Sequence, residues 1–583
     1  MEHIATIKNA IGVEPPKQIL MNALRKLTGR KPRHWNEDLA FQKQKVNEFS
    51  VDRYALYLQN RFVAFEKNGI DIAAKKISLA LVWVLPSGND AGVKKMWETI
   101  QLQSTAFDKI YIVGKVISGA GIKIEAQYFE SLNEACLLSK EDYLFIVKDV
   151  VELHTFFVQE CKNFIVKKPT AEIFYTCDDT MGKDGVPRNA QFKPQFNHYL
   201  LYSSNYIGCN ILVKRSMGAG LNWFETTFAD AYVYDFILRA SEHKTEIHRI
   251  DEVLVHRVYT NKEEDIKERL RILQNHLIRI KDYAKVALGM EQGTTRLLRS
   301  TSNNPVVSII IPFRDQVSML ESCVESILSK TKYKNYEVIL ANNGSNQTET
   351  KVYLDSVVME NQMVSVFNID IPFNFSKINN YAVESCRGDY VLFLNNDTEV
   401  INANWLDNMV AELEKEDVGV VGAKLLYADN TAQHAGVIFG VGHVAGHAFR
   451  FADDNQAGIM RRANAVQEYL AVTGACLLTK KEIFVAAGKF DEKHLSVSNN
   501  DVDYCLKVVD LGYKIVYTPY AKLYHYESKS RAHDLSESER ERYAKEVAFM
   551  KEKWGAKYAM DPFFHPHLDK RYENFENLEL AIS

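Results

Sequence analysis

Val306-Val-Ser-Ile-Ile-Ile-Pro-Phe-Arg-Asp315 is the stretch whose reading decides the architecture. An unbroken β-branched run suits a central parallel strand covered on both faces, since a half-exposed strand would alternate apolar and polar residues. A second run of this kind, Ile77-Ser-Leu-Ala-Leu-Val-Trp-Val-Leu-Pro86, lies upstream. Each is followed by an amphipathic helical pattern and a second strand, near Lys109 to Val113 in the first copy and Tyr336 to Ala341 in the second. Each copy then has an apolar strand closing on a polar edge, Tyr143-Leu-Phe-Ile-Val147 and Tyr390-Val-Leu-Phe-Leu394. Strand–helix–strand alternation predicts a doubly wound α/β sheet. Its recurrence predicts two tandem domains, at 75–260 and 304–530.

The rest of the chain fits around these two units. Residues 1–74 read as a helical leader, 261–303 as a helical linker, and 531–583 as a charged helix and an extended tail. Within the leader, 22–33 carries Arg25, Lys26, Arg30, Lys31 and Arg33, a basic segment suited either to an anionic membrane surface or to plain solvent. The linker expectation rests on helical periodicity from Asn261 to Leu288, followed by a polar stretch from Glu291 to Asn304.

The chain has 583 residues, 46% apolar and 25% charged, which excludes wholesale disorder and fibrous repeats and is too long for one core. A net charge of −4 gives no global field to draw the protein to nucleic acid. The apolar run near the N-terminus, Leu79 to Leu85, is far shorter than the ~20 residues of a membrane helix. The first residues are mixed polar, so no signal peptide is expected. Eight scattered cysteines without a C-x-x-C pair read as buried thiols of a cytoplasmic protein, with neither a disulfide frame nor a zinc site.

In open α/β sheets, ligands bind at the carboxyl ends of the strands. In the second copy those ends carry Pro312-Phe-Arg-Asp315, Asn342-Asn-Gly-Ser345 and Asn395-Asn-Asp397-Thr-Glu399. Each alone reads as a cap or a turn; three converging edges point to a ligand. Asp397 sits in a cluster of oxygen donors of the kind a hard divalent cation takes, and His525 is a candidate further ligand. Asp501 and Asp503 open a helical pattern, too close in sequence to face one way, so one can cap while the other points into a cleft as a general base. His443 and His447 are spaced like part of a zinc motif, but the surrounding glycines make a poor helix, and a loop bordering the cleft is the better reading.

These segments together resemble an inverting family-2 glycosyltransferase with the GT-A fold, over residues 305–531. They are Ser308 to Asp315, Asn342 to Ser345, Asn374 to Asn380, Arg387-Gly-Asp389, Leu394 to Val400, Gln433-His-Ala-Gly436, Thr473-Gly-Ala-Cys476, Asn500 to Leu506 and Thr518 to Ser528. The subgroup it is most similar to builds bacterial cell-surface polysaccharides and includes tandem-domain members. The resemblance implies two Rossmann-like GT-A units with mixed, mostly parallel sheets. It implies a nucleotide-sugar donor, a glycan or lipid-linked glycan acceptor, and Mn²⁺ or Mg²⁺. Pro312, Phe313, Asp315, Asn342, Asn380, Asn395 and Asn396 would bind the donor, with Arg531, Glu527 and Ser528 closing over its diphosphate. Asp397 and His525 would hold the metal, and Asp501 would be the catalytic base. Gly474 and Ala475 would flank the acceptor; His434 would either contact a sugar hydroxyl or fix a turn. The first acid of the family's Asp-x-Asp is Asn395 here, and the Glu common before the base is Asn500.

The first copy shares the middle portion of the resemblance, in Phe192 to Phe196, Ser204 to Gly208 and Cys209 to Val213. Its catalytic points depart: Lys148 and Val150 replace the metal-binding pair, and Val233 stands where the base belongs, before Tyr234-Asp235. Cys177-Asp178-Asp179 keeps acids, so the expectation is a catalytically silent unit that binds sugar or positions its neighbour. The alternatives are a carbohydrate-binding or scaffold protein with both copies inactive, and a sugar nucleotidyltransferase, whose usual Gly-rich loop is absent after Ile311. The location implied is cytoplasmic, with peripheral contact on the inner face of the membrane as the variant suggested by 22–33.

Overall fold

A computed structural model describes residues 51–86, 90–114, 126–258, 265–301, 304–526, 536–575 and 577–579. Residues 1–50 of the leader, including its basic segment, and Glu527, Ser528 and Arg531 lie outside the described residues.

The fold is mixed α/β, built on two large sheets. The first contains β1 (Leu79–Val84), β2 (Lys109–Val113), β3 (Gln127–Phe129), β4 (Tyr143–Lys148), β5 (Val151–Leu153), β6 (Ile173–Met181), β7 (Pro187–Gln191), β8 (Ile211–Lys214) and β9 (Ile247–Val258). A two-stranded hairpin follows, β10 (Lys285–Leu288) and β11 (Thr295–Leu298). The second sheet contains β12 (Val307–Phe313), β13 (Tyr336–Asn342), β14 (Val364–Asn368), β15 (Tyr390–Leu394), β16 (Thr398–Val400), β17 (Val418–Leu426) and β18 (Ala432–His434). A small ribbon of β19 (Val437–Phe439) and β20 (Ala445–His447) comes next, then β21 (Gln467–Tyr469), β22 (Cys476–Lys480) and β23 (Lys514–His525), which rejoin the second sheet.

Strand order is β3-β2-β1-β4-β8-β6-β9-β5 in the first sheet and β14-β13-β12-β15-β22-β17-β23-β16 in the second. The pairing senses repeat as well. The outer strands are parallel up to β4 and β15, β8 and β22 are antiparallel to both neighbours, and β5 and β16 return antiparallel along β9 and β23. Every residue of β12 is buried, as the unbroken apolar run requires of a strand with helices on both faces.

Five helices matter for the site: α1 (Val51–Asn68), α2 (Tyr232–Glu242), α3 (Ile266–Arg279), α4 (Asn500–Asp510) and α5 (Glu537–Trp554). The helix expected through Leu288 stops at Arg279, and the charged stretch beyond it pairs as the β10–β11 hairpin. Lys285-Val-Ala-Leu and Thr295-Arg-Leu-Leu are short and mixed, so their pairing is set by the intervening turn more than by periodicity. α1 packs its buried Tyr54, Tyr57 and Phe65 on the first sheet, with the Tyr54 hydroxyl 2.5 Å from Asp179 Oδ2.

The chain's last part joins both halves. Gln195 N–H donates to Pro562 O (2.8 Å), Cys177 Sγ lies 3.3 Å from His565 Nε2, and Phe439 N–H donates to Asp561 Oδ2 (2.8 Å). Asn197 and Tyr199 of the first half meet Glu468 and Asp417 of the second. The eight cysteines are free thiols, seven of them buried. Among the described residues no helix is long and apolar enough to cross a membrane.

Candidate active site

The site lies at the carboxyl ends of β12, β13 and β15, where successive loops meet. Antiparallel pairing of β16 with β23 puts Thr398 opposite His525. That register brings Asp397, one residue earlier, against the imidazole: Asp397 Oδ1 is 3.1 Å from His525 Nε2. The Asn395 amide nitrogen is 3.2 Å from the same ring nitrogen, and His525 Nδ1 is 2.7 Å from Gln433 Oε1. With the Gln433 oxygen accepting from Nδ1, Nε2 accepts from the Asn395 amide and lies beside the Asp397 carboxylate. Two electron-rich atoms 3.1 Å apart favour a proton or a cation between them. The pair therefore fits a divalent ion with one carboxylate and one imidazole from the protein and oxygens from a bound phosphate. Among the described residues no group of three or more His, Cys, Asp or Glu side chains is placed to hold a metal ion.

The second acidic point is built on α4. Asp501 is in its first turn and half-buried, whereas Asp503 is fully buried. Gly474 N–H donates to Asp501 Oδ2 (2.7 Å), and Val502 N–H to Asp501 Oδ1 (2.8 Å). A side chain at 474 would put its Cβ 3.3 Å from Asp501 Cβ and 3.5 Å from Oδ2, so this close approach calls for glycine. Asp503 points the other way, to Lys553 Nζ (2.6 Å), Lys507 Nζ (3.1 Å) and the Trp554 indole N–H (2.8 Å).

One backbone bond links the two acidic points. Asn395 N–H donates to Ala475 O (3.1 Å), because β15 and β22 are neighbours with Leu394 opposite Cys476. The chain of contacts runs from Asp501 through Gly474 and Ala475 to Asn395 and His525. Glu546 on α5 fixes the entry to α4. It is 1% exposed and accepts from Ser496 Oγ (2.9 Å), Val497 N–H (3.1 Å) and Ser498 N–H (3.0 Å).

Beyond the β13 and β14 ends lies an open groove of about 970 Å³, lined by Asn342, Gly344, Ser345, Asn368 and Asp370 among others. Gly344 has φ +67°, and a Cβ there would fall 2.9 Å from Asp370 Oδ1. Asp315 and Asn342 shape this turn. Asp315 Oδ1 accepts from Asn346 and Gln347 N–H (3.1 and 3.0 Å), and Asn342 Oδ1 accepts from Ser345 N–H (3.0 Å).

Several residues expected to touch ligand are placed elsewhere. His434 is fully buried; its Nδ1 donates to Ala423 O (2.9 Å) and its Nε2 accepts from Thr473 N–H (3.2 Å). Burial holds its pKa well below the imidazole range, so this neutral ring braces the 473–475 loop and offers a sugar nothing. Asn380 spends its amide inside, on Phe490 N–H and O and on Glu492 Oε2. Pro312 and Phe313 are buried under the turn, where Phe313 O accepts from Asn343 N–H (2.9 Å). Asn396 is half-buried at the loop crest between Asn395 and Asp397. Gln433 was not singled out from the sequence. Strand alternation is the signal that could have found it, since neighbours on β18 point to opposite sides, and Gln433 takes the His525 side that His434 cannot.

The matching registers define equivalent positions in the first half. Tyr143 faces Lys214 as Tyr390 faces Lys480, so Lys148 and Val150 correspond to Asn395 and Asp397. Val151 faces Arg257 as Thr398 faces His525. α2 and α4 are both 11 residues long and carry the same i,i+4 pair, Asp235–Arg239 and Asp503–Lys507, so Val233 corresponds to Asp501. At these positions the first half has neither the carboxylate–imidazole pair of Asp397 and His525 nor the carboxylate of Asp501.

The family match falls on the same half, whereas the two curated relatives align over more than two thirds of the chain. Residues 308–456, within the second half, match the family model described as Glycosyl transferase family 2. The chain is 37% identical over 470 residues to the uncharacterized protein y4gI of Sinorhizobium fredii, covering 79% of this chain and 50% of that one. It is 33% identical over 412 residues to the O-antigen biosynthesis protein RfbC of Myxococcus xanthus, covering 69% of this chain and 32% of that one. The chain thus spans half or less of the length of these two relatives. Among solved structures, it resembles GalNAc-T7 with UDP, GalNAc and Mn²⁺ at 18% identity and a TM-score of 0.37, over 47% of this chain and 53% of that one.

Proposed function

We propose that this chain is an inverting glycosyltransferase that moves a sugar from a nucleotide-sugar donor to a hydroxyl of a growing bacterial surface polysaccharide. The observation that carries this reading is the chain of contacts that joins Asp501 to the Asp397–His525 pair through Gly474, Ala475 and Asn395. The family match supports the reaction class, and the likeness to an O-antigen biosynthesis protein supports the acceptor class.

In this mechanism the groove beside Asn342, Gly344 and Asp370 takes the nucleoside, and the donor's diphosphate lies toward Asp397 and His525. A divalent cation held there supplies positive charge against the leaving diphosphate. Gln433 keeps the His525 lone pair turned toward the site. Asp501, held by the two N–H groups of Gly474 and Val502, takes the acceptor hydroxyl's proton as that oxygen attacks the anomeric carbon opposite the leaving group. A single displacement inverts the anomeric centre, and one base suffices, unlike the carboxylate pair of glycoside hydrolysis. Val150 and Val233 make the first half a non-transferring tandem partner that binds ligand or positions the second.

The test is transfer or donor hydrolysis by pure protein over a panel of nucleotide sugars with Mn²⁺, Mg²⁺ or chelator, together with Asp397→Ala. Turnover that needs the ion, and donor binding that becomes ion-independent and weaker in Asp397→Ala, support the reading. Equal activity in chelator and in metal overturns the cation's part. No turnover with any donor–acceptor pair, alongside tight glycan binding, favours the inactive carbohydrate-binding alternative.

A further inference from the structure

The eight-strand order of the first sheet repeats that of the second, yet the equivalent strand ends carry different charges. At the positions of Asn395, Asn396, Asp397 and His525 stand Lys148, Asp149, Val150 and Arg257. With histidine counted neutral, the second-half set carries one negative charge and the first-half set one positive charge. The difference of two is what a divalent cation would supply. We infer that the first-half crevice binds a diphosphate-bearing ligand without a metal, using Lys148 and Arg257 in place of the ion. The inference rests on the proposed reading of the second half for the kind of ligand these positions face.

The local structure holds both cations in place. Asp149 has φ +68°, and its carbonyl accepts the indole N–H of the buried Trp83 (2.8 Å), which pins the turn that presents Lys148. Arg257 Nε is 2.8 Å from Asp178 Oδ1, while Asp178 Oδ2 is 2.5 Å from the buried Lys193 ammonium. Two cations thus share one carboxylate, and the Arg257 side chain remains 47% exposed. Lys148 ends β4, and Arg257 lies opposite Val151, three residues further on, so both cations stand at the strand ends equivalent to those of Asn395 and His525. A guanidinium with five donors and an ammonium with three suit phosphate oxygens. At the place of Asp501 the first half has Val233, and Gly208 N–H is held instead by Asn205 Oδ1 (3.3 Å), so the ligand is bound and not turned over there.

The experiment is calorimetry of the full chain in excess chelator, with pyrophosphate, UDP, GDP and geranyl diphosphate as probes. The expected result is one chelator-resistant site. Lys148→Ala and Arg257→Ala each weaken it about tenfold or more, the scale of a lost charge-assisted hydrogen bond. Lys148→Arg keeps it, separating charge from folding, and Asp397→Ala leaves it unchanged. Nucleotides binding more tightly than pyrophosphate identify a nucleotide ligand, whereas geranyl diphosphate binding more tightly identifies a lipid-linked one. No binding of any probe in chelator overturns the inference, as does binding insensitive to Lys148 and Arg257. If Asp397→Ala instead leaves ion-dependent donor binding intact while chelator-resistant binding still needs Lys148, the reading of the second half fails and this one stands.

Discussion

Glu546 offers a test of the site that needs no knowledge of the substrate. Its carboxylate is buried and accepts three hydrogen bonds from Ser496, Val497 and Ser498, the turn that launches α4 and Asp501. In Glu546→Gln the amide keeps one oxygen, and its NH₂ group is set against a backbone N–H or hydroxyl that needs an acceptor. Losing a hydrogen bond to a charged group costs ~1.5–3 kcal/mol, and a buried donor left unsatisfied costs ~1–3 kcal/mol. Together the expected loss is about 3–5 kcal/mol. At ~2–4 °C per kcal/mol for a domain of about this size, the unfolding midpoint should fall by about 6–20 °C. Glu546→Leu, which orphans both backbone N–H groups, should fall at least as far. The assay is differential scanning calorimetry, paired with transfer kinetics at a temperature where the variant is folded. There kcat should drop while donor KM stays, because Asp501 is displaced and the donor groove is not. An unchanged midpoint in both variants would refute the role assigned to Glu546.

Two further outcomes are expected. Gly474→Ala should fold normally but push Asp501 by a few tenths of an ångström, because its Cβ would lie 3.3 Å from Asp501 Cβ. A fall in kcat of about tenfold with unchanged thermal stability is expected, since a misplacement of ~1 Å costs ~10²-fold. Burial lowers the pKa of His154 to about 4, with His256 nearby adding to the effect, and burial lowers those of His198 and His567 to about 3. These groups are protonated first in the unfolded chain, so stability is full above pH ~6.5 and is lost as pH falls toward 4 and 3, at up to ~1.4 kcal/mol per pH unit for each. Chemical denaturation at pH 7.5 and pH 5 should show that decline, and an equal or higher stability at pH 5 would contradict it.

Much of the second sheet was legible because its strands are continuous apolar runs. The run ending at Pro312-Phe313 and the run from Tyr390 to Leu394 need no partner to be recognised. The polar edges after them were legible for the same reason. Contacts that depend on register were not. His525 meets Asp397 because of a pairing between residues more than a hundred positions apart, and Arg257 takes the equivalent place only once both registers are known. Asn380 was expected at the donor because the resemblance implies it, and His434 was read as either touching a sugar hydroxyl or fixing a turn. Their full burial is decided by what packs over them, the 473–475 loop and the 490–492 turn. The β10–β11 hairpin was hidden by charged residues whose spacing mimics a helix.

The most direct measurement is transfer and donor binding by Asp501→Asn, in the full chain and beside wild type. The side chain keeps its size and can still accept from Gly474 N–H, but it no longer takes a proton. Donor affinity within twofold of wild type with turnover reduced ~10²-fold or more is the predicted result. Turnover close to wild type in a correctly folded Asp501→Asn protein would contradict the account.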